Sequence, residues 1–174
     1  MHILALITTI AMAIFWVSRA ARGSRDIIDA AHEIKNLPRN RKFQKAFGKT
    51  GYDLVETPIE AATVLMISTA RLDNLREISA AEIAAITLEL ETHMHLDIDI
   101  ADGIFRQMQN LTQQITLPES ALFPMLDILK SNISRDDAFQ LAAMMERVAS
   151  CEKSATHEQL DFIRRFKNRM GILN

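Results

Sequence analysis

The stretch Thr57-Pro58-Ile59-Glu60-Ala61-Ala62-Thr63-Val64-Leu65-Met66-Ile67-Ser68-Thr69-Ala70-Arg71-Leu72 decides the fold of this chain. Thr57 and Glu60 stand three apart. At that spacing a threonine hydroxyl takes the N–H of the third helical residue while the glutamate reaches back to the threonine N–H. Pro58 falls at the first helical position, where its missing N–H is no loss and its fixed φ suits a helix. The pattern predicts a helix through Val64, Leu65, Ile67 and Ser68 to about Leu72. A loop, Asp73-Asn74-Leu75-Arg76-Glu77-Ile78, leads to Ser79-Ala80-Ala81-Glu82, a second capping box. The helix it opens carries Ile83, Ile86 and Leu90 on one stripe.

Further along, Asp97-Ile98-Asp99 begins a helix with Ile104, Phe105, Met108, Leu111 and Ile115. After Leu117-Pro118 comes one containing Phe123, Leu126 and Leu129, with Pro124 near its first turn. Ser134-Arg135-Asp136-Asp137 opens a helix through Phe139, Leu141, Met145 and Val148. Thr156-His157-Glu158-Gln159 opens the last, with Leu160, Ile163 and Phe166, and Gly171 as its C-terminal stop. Thr57 and Ser79 lie 22 residues apart, and so do Ser134 and Thr156. A shift of 77 residues also superposes Val64 on Leu141, Ile83 on Leu160 and Ile86 on Ile163. The expected fold is therefore all-α, an internally duplicated helical hairpin whose middle helices link two related halves. One Tyr, one Trp and no Val/Thr-rich alternation agree with helices rather than sheet.

Upstream, MHILALITTIAMAIFWV holds no charged side chain from Ile3 to Val17. About 18 to 20 helical residues cross a hydrocarbon core. Ile3, Leu6, Ile10 and Ile14 form the apolar body, and Trp16 stands where an interfacial aromatic belongs. Arg19, Arg22 and Arg25 follow on one flank only, so the positive-inside rule places the N-terminus outside and the rest in the cytoplasm. A secretory signal peptide would carry its positive charge before the apolar run, not after it. A buried core helix fits poorly with so apolar a free end beside a comb of arginines. The expected layout is a transmembrane anchor over 1–18, a basic juxtamembrane helix and linker over 19–56, and a helical domain over 57–174. Ala11-Met12-Ala13 puts small residues on the anchor, a composition that permits helix pairing.

The net charge of −2 conceals an asymmetry. Residues 1–49 hold nine Lys/Arg against three acids, hence +6, and the remainder totals −8. Ser24 can cap a short helix through Ile27, Ile28, Ala31 and Ile34, which Leu37-Pro38 ends. Arg39, Arg41, Lys42 and Lys45 then surround Phe43 and Phe47. This segment reads either as an amphipathic strip on anionic lipid or as a short helix packing its rings on the domain. Nothing beyond charge speaks for nucleic acid. Cys151 is alone, so there is no intramolecular disulfide and no cysteine cluster for zinc.

From Thr57 to Asn174 the chain resembles the TerB-like family, named after tellurite-resistance protein B. The likeness is clearest in ERVASCEKSATHEQLDFIRRFKNRMGI, with its helix, acidic turn, capped start and closing Met-Gly. Ala70-Arg71-Leu72-Asp73 through Ile78-Ser79-Ala80-Ala81-Glu82 looks like the matching turn of the first half. The resemblance implies a compact, all-α, internally duplicated domain, metal binding by acidic turn residues in some members, and membrane-linked or stress-response settings. The family turn is usually Asp-Gly with a glutamate seven residues after the aspartate. Here Asn74 follows Asp73 and Glu82 lies nine on, while Cys151-Glu152 takes the Asp-Gly place with Glu158 retained. The layout is also similar to the N-terminal part of membrane-anchored DnaJ-like co-chaperones. No His-Pro-Asp and no room for a J-domain are present, so their chaperone coupling does not carry over.

Two clusters could hold a divalent metal. Asp73, Glu77 and Glu82 offer oxygen ligands suited to calcium or magnesium, although helix capping explains them more cheaply. Glu89, His93 and His95, with Glu91, Asp97 and Asp99, offer imidazole and carboxylate at helical spacing. Neighbouring pairs there point to different faces, and a solvated helix end is the simpler reading. Asp97 to Met108 fails as a calcium loop, because Gly103 is one place late and the twelfth position is a methionine. Cys151 reads as a buried or half-buried small residue with only Lys153 as a basic neighbour. Met144, Met145 and Met170 read as core filling. No nucleophile elbow or phosphate-cradling glycine loop occurs. The expectation is a non-enzyme without a resident cofactor. It would be anchored once in the inner membrane of a bacterium-like cell, touching lipid and docking a protein partner in a membrane assembly or envelope-stress system. The alternative is a divalent-metal sensor or buffer.

Overall fold

A computed structural model describes residues 51–73 and 77–173. The sequence readings over residues 1–50, both the apolar anchor and the basic stretch after it, lie outside the described residues. Among the described residues there is no strand, and no helix is long and apolar enough to cross a membrane. Six α-helices are described: α1 (Pro58–Arg71), α2 (Ala80–His93), α3 (Ile98–Gln113), α4 (Leu122–Lys130), α5 (Arg135–Ala149) and α6 (His157–Arg169). Two 3-10 turns, Gly51–Leu54 and Pro118–Ala121, precede α1 and α4.

The α1 helix is the axis of the described bundle. Thr57 Oγ1 accepts the Glu60 N–H at 3.2 Å, and Glu60 Oε2 accepts the N–H groups of Glu56 and Thr57 at 3.0 and 3.1 Å. Every residue from Ile59 to Arg71 is buried. A helix that is apolar or small on all sides must be surrounded, and α1 touches each of the other five described helices. The Thr63 and Thr69 hydroxyls need no outside partner, since they donate to the Ile59 and Leu65 carbonyls one turn back, at 2.7 and 2.8 Å.

Three further helices begin in the same way. Ser79 with Glu82, Ser134 with Asp137 and Thr156 with Gln159 each form a reciprocal capping box. The last helix ends in a Schellman motif, in which the Gly171 N–H bonds Asn168 O and the Ile172 N–H bonds Lys167 O. Gly171 sits at φ +69°, a conformation that a Cβ disfavours, and the motif tucks Ile172 into the core. The α3 helix packs on α1 and α2, while α4 packs on α1 and α6. Beyond the α1–α5 contact, α1 meets α6 and α2 meets α5.

Several apolar residues expected inside face out. On α4 the buried stripe is Leu122, Met125, Leu126 and Leu129, so Phe123 falls about 100° away and is 56% exposed. The buried set of α6 is Gln159, Phe162, Ile163 and Phe166, which leaves Leu160 exposed at 51%. Phe139 is exposed on α5 for the same reason, Ile83 is half-exposed on α2, and Ile115 lies beyond the end of α3. Cys151, expected buried or half-buried, is exposed in the α5–α6 turn. Met144 and Met145 are core residues and Met170 is partly exposed.

Candidate functional site

The turn after α1 and the turn after α5 meet. Lys153 Nζ lies 2.8 Å from Asp73 Oδ2, an ion pair across 80 positions of chain. The hydrogen bond to Asp73 and its negative charge push the Lys153 ammonium upward from its ordinary pKa. Glu82 lies close by, 7% exposed, its carboxylate accepting the Ser79 N–H at 2.9 Å. Burial raises its pKa, and the charges of Glu152 and Asp73 add to the rise. The Cys151 thiol is also pushed up, first by partial desolvation and then by Glu82 and Glu152. A thiol so placed is less thiolate than a free cysteine, the reverse of what a nucleophile needs. Glu77 is exposed.

At the equivalent place in the second hairpin stands Gln159, 77 residues after Glu82. It is 1% exposed, and both ends of its amide are used. Its Oε1 accepts the Thr156 N–H at 2.9 Å and its Nε2 donates to Thr69 O at 3.1 Å, tying the start of α6 to the end of α1.

The second predicted cluster has a different organiser. Glu89 points inward and is held by Arg147 of α5, with Nε donating to Oε1 at 2.5 Å and Nη2 to Oε2 at 2.7 Å. The hydrogen bond and charge of Glu89 raise the Arg147 pKa further. His93 Nε2 approaches Glu89 Oε2 at 3.3 Å. His95 stands apart, exposed at φ +53° in the turn between α2 and α3. The structure thus brings Glu89 and His93 together and separates His95. Likewise, Asp73 and Glu82 come to the paired turns while Glu77 stays in solvent. Among the described residues no three His, Cys, Asp or Glu side chains converge in a way that could hold a metal ion.

Sequence reasoning missed Arg71, Arg147 and the outer face of α2. Arg71 is buried at the end of α1 and donates to Thr112 O at 2.6 Å and Ile115 O at 2.9 Å. It thereby reinforces the C-terminal end of α3, where the Thr112 carbonyl also accepts the Ile115 N–H at 3.0 Å and Ile115 itself lies just beyond the helix. The α2 helix is turned inside out in charge. Glu82 and Glu89 point inward, whereas Ala80, Ala81, Ala84 and Leu88 face solvent, Leu88 with 59% of its surface exposed. The signal for this was legible in principle. Glu82 and Glu89 are seven apart, two turns on one face, together with the apolar residue Ile86. Elsewhere, exposed rings carry cations. The Arg169 guanidinium lies 5.1 Å from the Phe123 ring centre and that of Arg135 lies 5.7 Å from Phe139.

No protein-family model, no curated protein and no solved structure matches this chain.

Proposed function

We propose that this chain is a non-enzymatic docking protein of the cytoplasmic membrane. In this reading residues 1–18 cross the bilayer once with the N-terminus outside, and the basic stretch that follows lies on the inner leaflet. The helices from 57 to 174 form a TerB-like bundle that presents a helical surface to a protein partner in a membrane assembly or envelope-stress system. The observation that carries the reading is the outward face of α2. A solvent-facing helix ordinarily keeps its carboxylates outside and its apolar stripe inside. Here both inward carboxylates are neutralised or capped within the bundle, and the exposed residues from Ala80 to Leu88 bear no charge. The alanines would let another helix approach closely, and Leu88 would supply the apolar anchor.

The duplicated layout has support of its own. Under the 77-residue shift α1 maps on α5 and α2 on α6, so the α1–α6 contact corresponds to the α5–α2 contact. Two hairpins related by a pseudo-twofold axis would pack in this way.

The test is photo-crosslinking in native membranes, with the reactive side chain at Ala84 and, as control, at Gln107 on the polar exposed side of α3. Neighbours captured from position 84 and absent from position 107 are the expected result. Equal capture from both positions, or none from 84, would remove the docking surface. Alkaline extraction and external protease address the anchor separately: a chain released by carbonate, or cut distally from outside, is not anchored as proposed.

A second reading, a divalent-metal sensor or buffer, draws on Asp73 and Glu82 at the paired turns, with Glu77, or on Glu89 and His93, with His95; among the described residues only two members of each set come together. Binding to the folded state raises its melting temperature. An unchanged midpoint in millimolar calcium, magnesium or zinc would end that reading.

A further inference from the structure

We draw no further inference here: the strongest candidate, the identity of what covers the outward face of α2 at Ala80, Ala81, Ala84 and Leu88, already belongs to the docking reading above, and nothing in the structure shows what covers it.

Discussion

Replacing Arg71 with alanine removes a side chain that ties the end of α1 to the end of α3. The guanidinium makes two bonds, to Thr112 O at 2.6 Å and to Ile115 O at 2.9 Å. A hydrogen bond from a charged donor contributes about 1.5–3 kcal/mol. The Thr112 carbonyl keeps the Ile115 N–H at 3.0 Å but loses its charged donor in a buried setting, while Ile115 is half-exposed and water can replace the lost bond. Counting the first bond in full and the second at roughly a third, the loss is about 2–4 kcal/mol. The guanidinium had also been taken out of water, and recovering that desolvation pulls the expectation to about 2–3 kcal/mol. With a urea m-value on the order of 1.5 kcal/mol/M, the midpoint falls by roughly 1.3–2 M. The assay is equilibrium urea unfolding of the full chain at neutral pH, with amide exchange over residues 108–116 as the local readout. Arg71→Lys keeps the charge but not the fork, and should fall between wild type and alanine. The acceptors are neutral carbonyls rather than carboxylates, so half-molar salt should leave the difference in place. A loss below about 0.5 kcal/mol, within the ordinary range for a surface substitution, would refute the capping argument.

The remaining expectations concern α2 and its partners. Burial raises the Glu82 pKa above its ordinary value of 4.5, so the folded state favours the protonated form. Its contribution to stability is therefore full below that ordinary value and is lost as pH rises through the folded one. Glu82→Gln, which copies Gln159, should melt above wild type at pH 7, with the gap closing toward pH 4. A less stable variant at pH 7 would reverse that sign. Arg147→Ala removes the two-pronged partner of the Glu89 carboxylate and leaves it His93 Nε2 at 3.3 Å, and Arg147 is about half exposed, so solvent screens the pair. The cost should be about 2 kcal/mol rather than the 3–5 kcal/mol of a fully buried pair. A double-mutant cycle with Glu89→Gln should recover at least 1 kcal/mol of coupling, on the order found for residues in direct contact. Leu88→Glu should leave stability within about 0.5 kcal/mol of wild type, as for other exposed positions, while abolishing crosslinks from position 84. Crosslinks that persist in this variant would dissociate the α2 face from partner binding.

Helix starts were legible because their cause is local. A hydroxyl and a carboxyl or amide three residues apart act on backbone groups within the same turn, and Thr57, Ser79, Ser134 and Thr156 all do so. Gly171 stopped α6 for an equally local reason, its left-handed φ. Which side of each helix turns inward was less legible. Phe123 and Leu160 are as apolar as their buried neighbours, and only the packing of α4 and α6 on α1 selects the stripe that excludes them. The polar ties escaped altogether, since Arg71 reaches a carbonyl 41 residues away and Arg147 a carboxylate 58 away. Glu89 looked like a ligand because carboxylate and imidazole at helical spacing suit a metal as well as they suit an arginine. The spacing cannot tell a metal from an arginine that arrives from another helix.

The central position of α1 has a consequence for how the molecule is made. On the ribosome α1 is synthesised first among the described helices, yet its α5 and α6 neighbours are the last. The 78 residues between Arg71 and Ala149 take about 4–16 s to synthesise at ordinary elongation speeds. Throughout that delay a greasy segment without a charged residue from Ala61 to Ala70 waits for its neighbours. Nascent chains of this protein should therefore recruit holding factors until the C-terminal hairpin emerges, and truncation before α5 should leave an aggregating product rather than a smaller folded one.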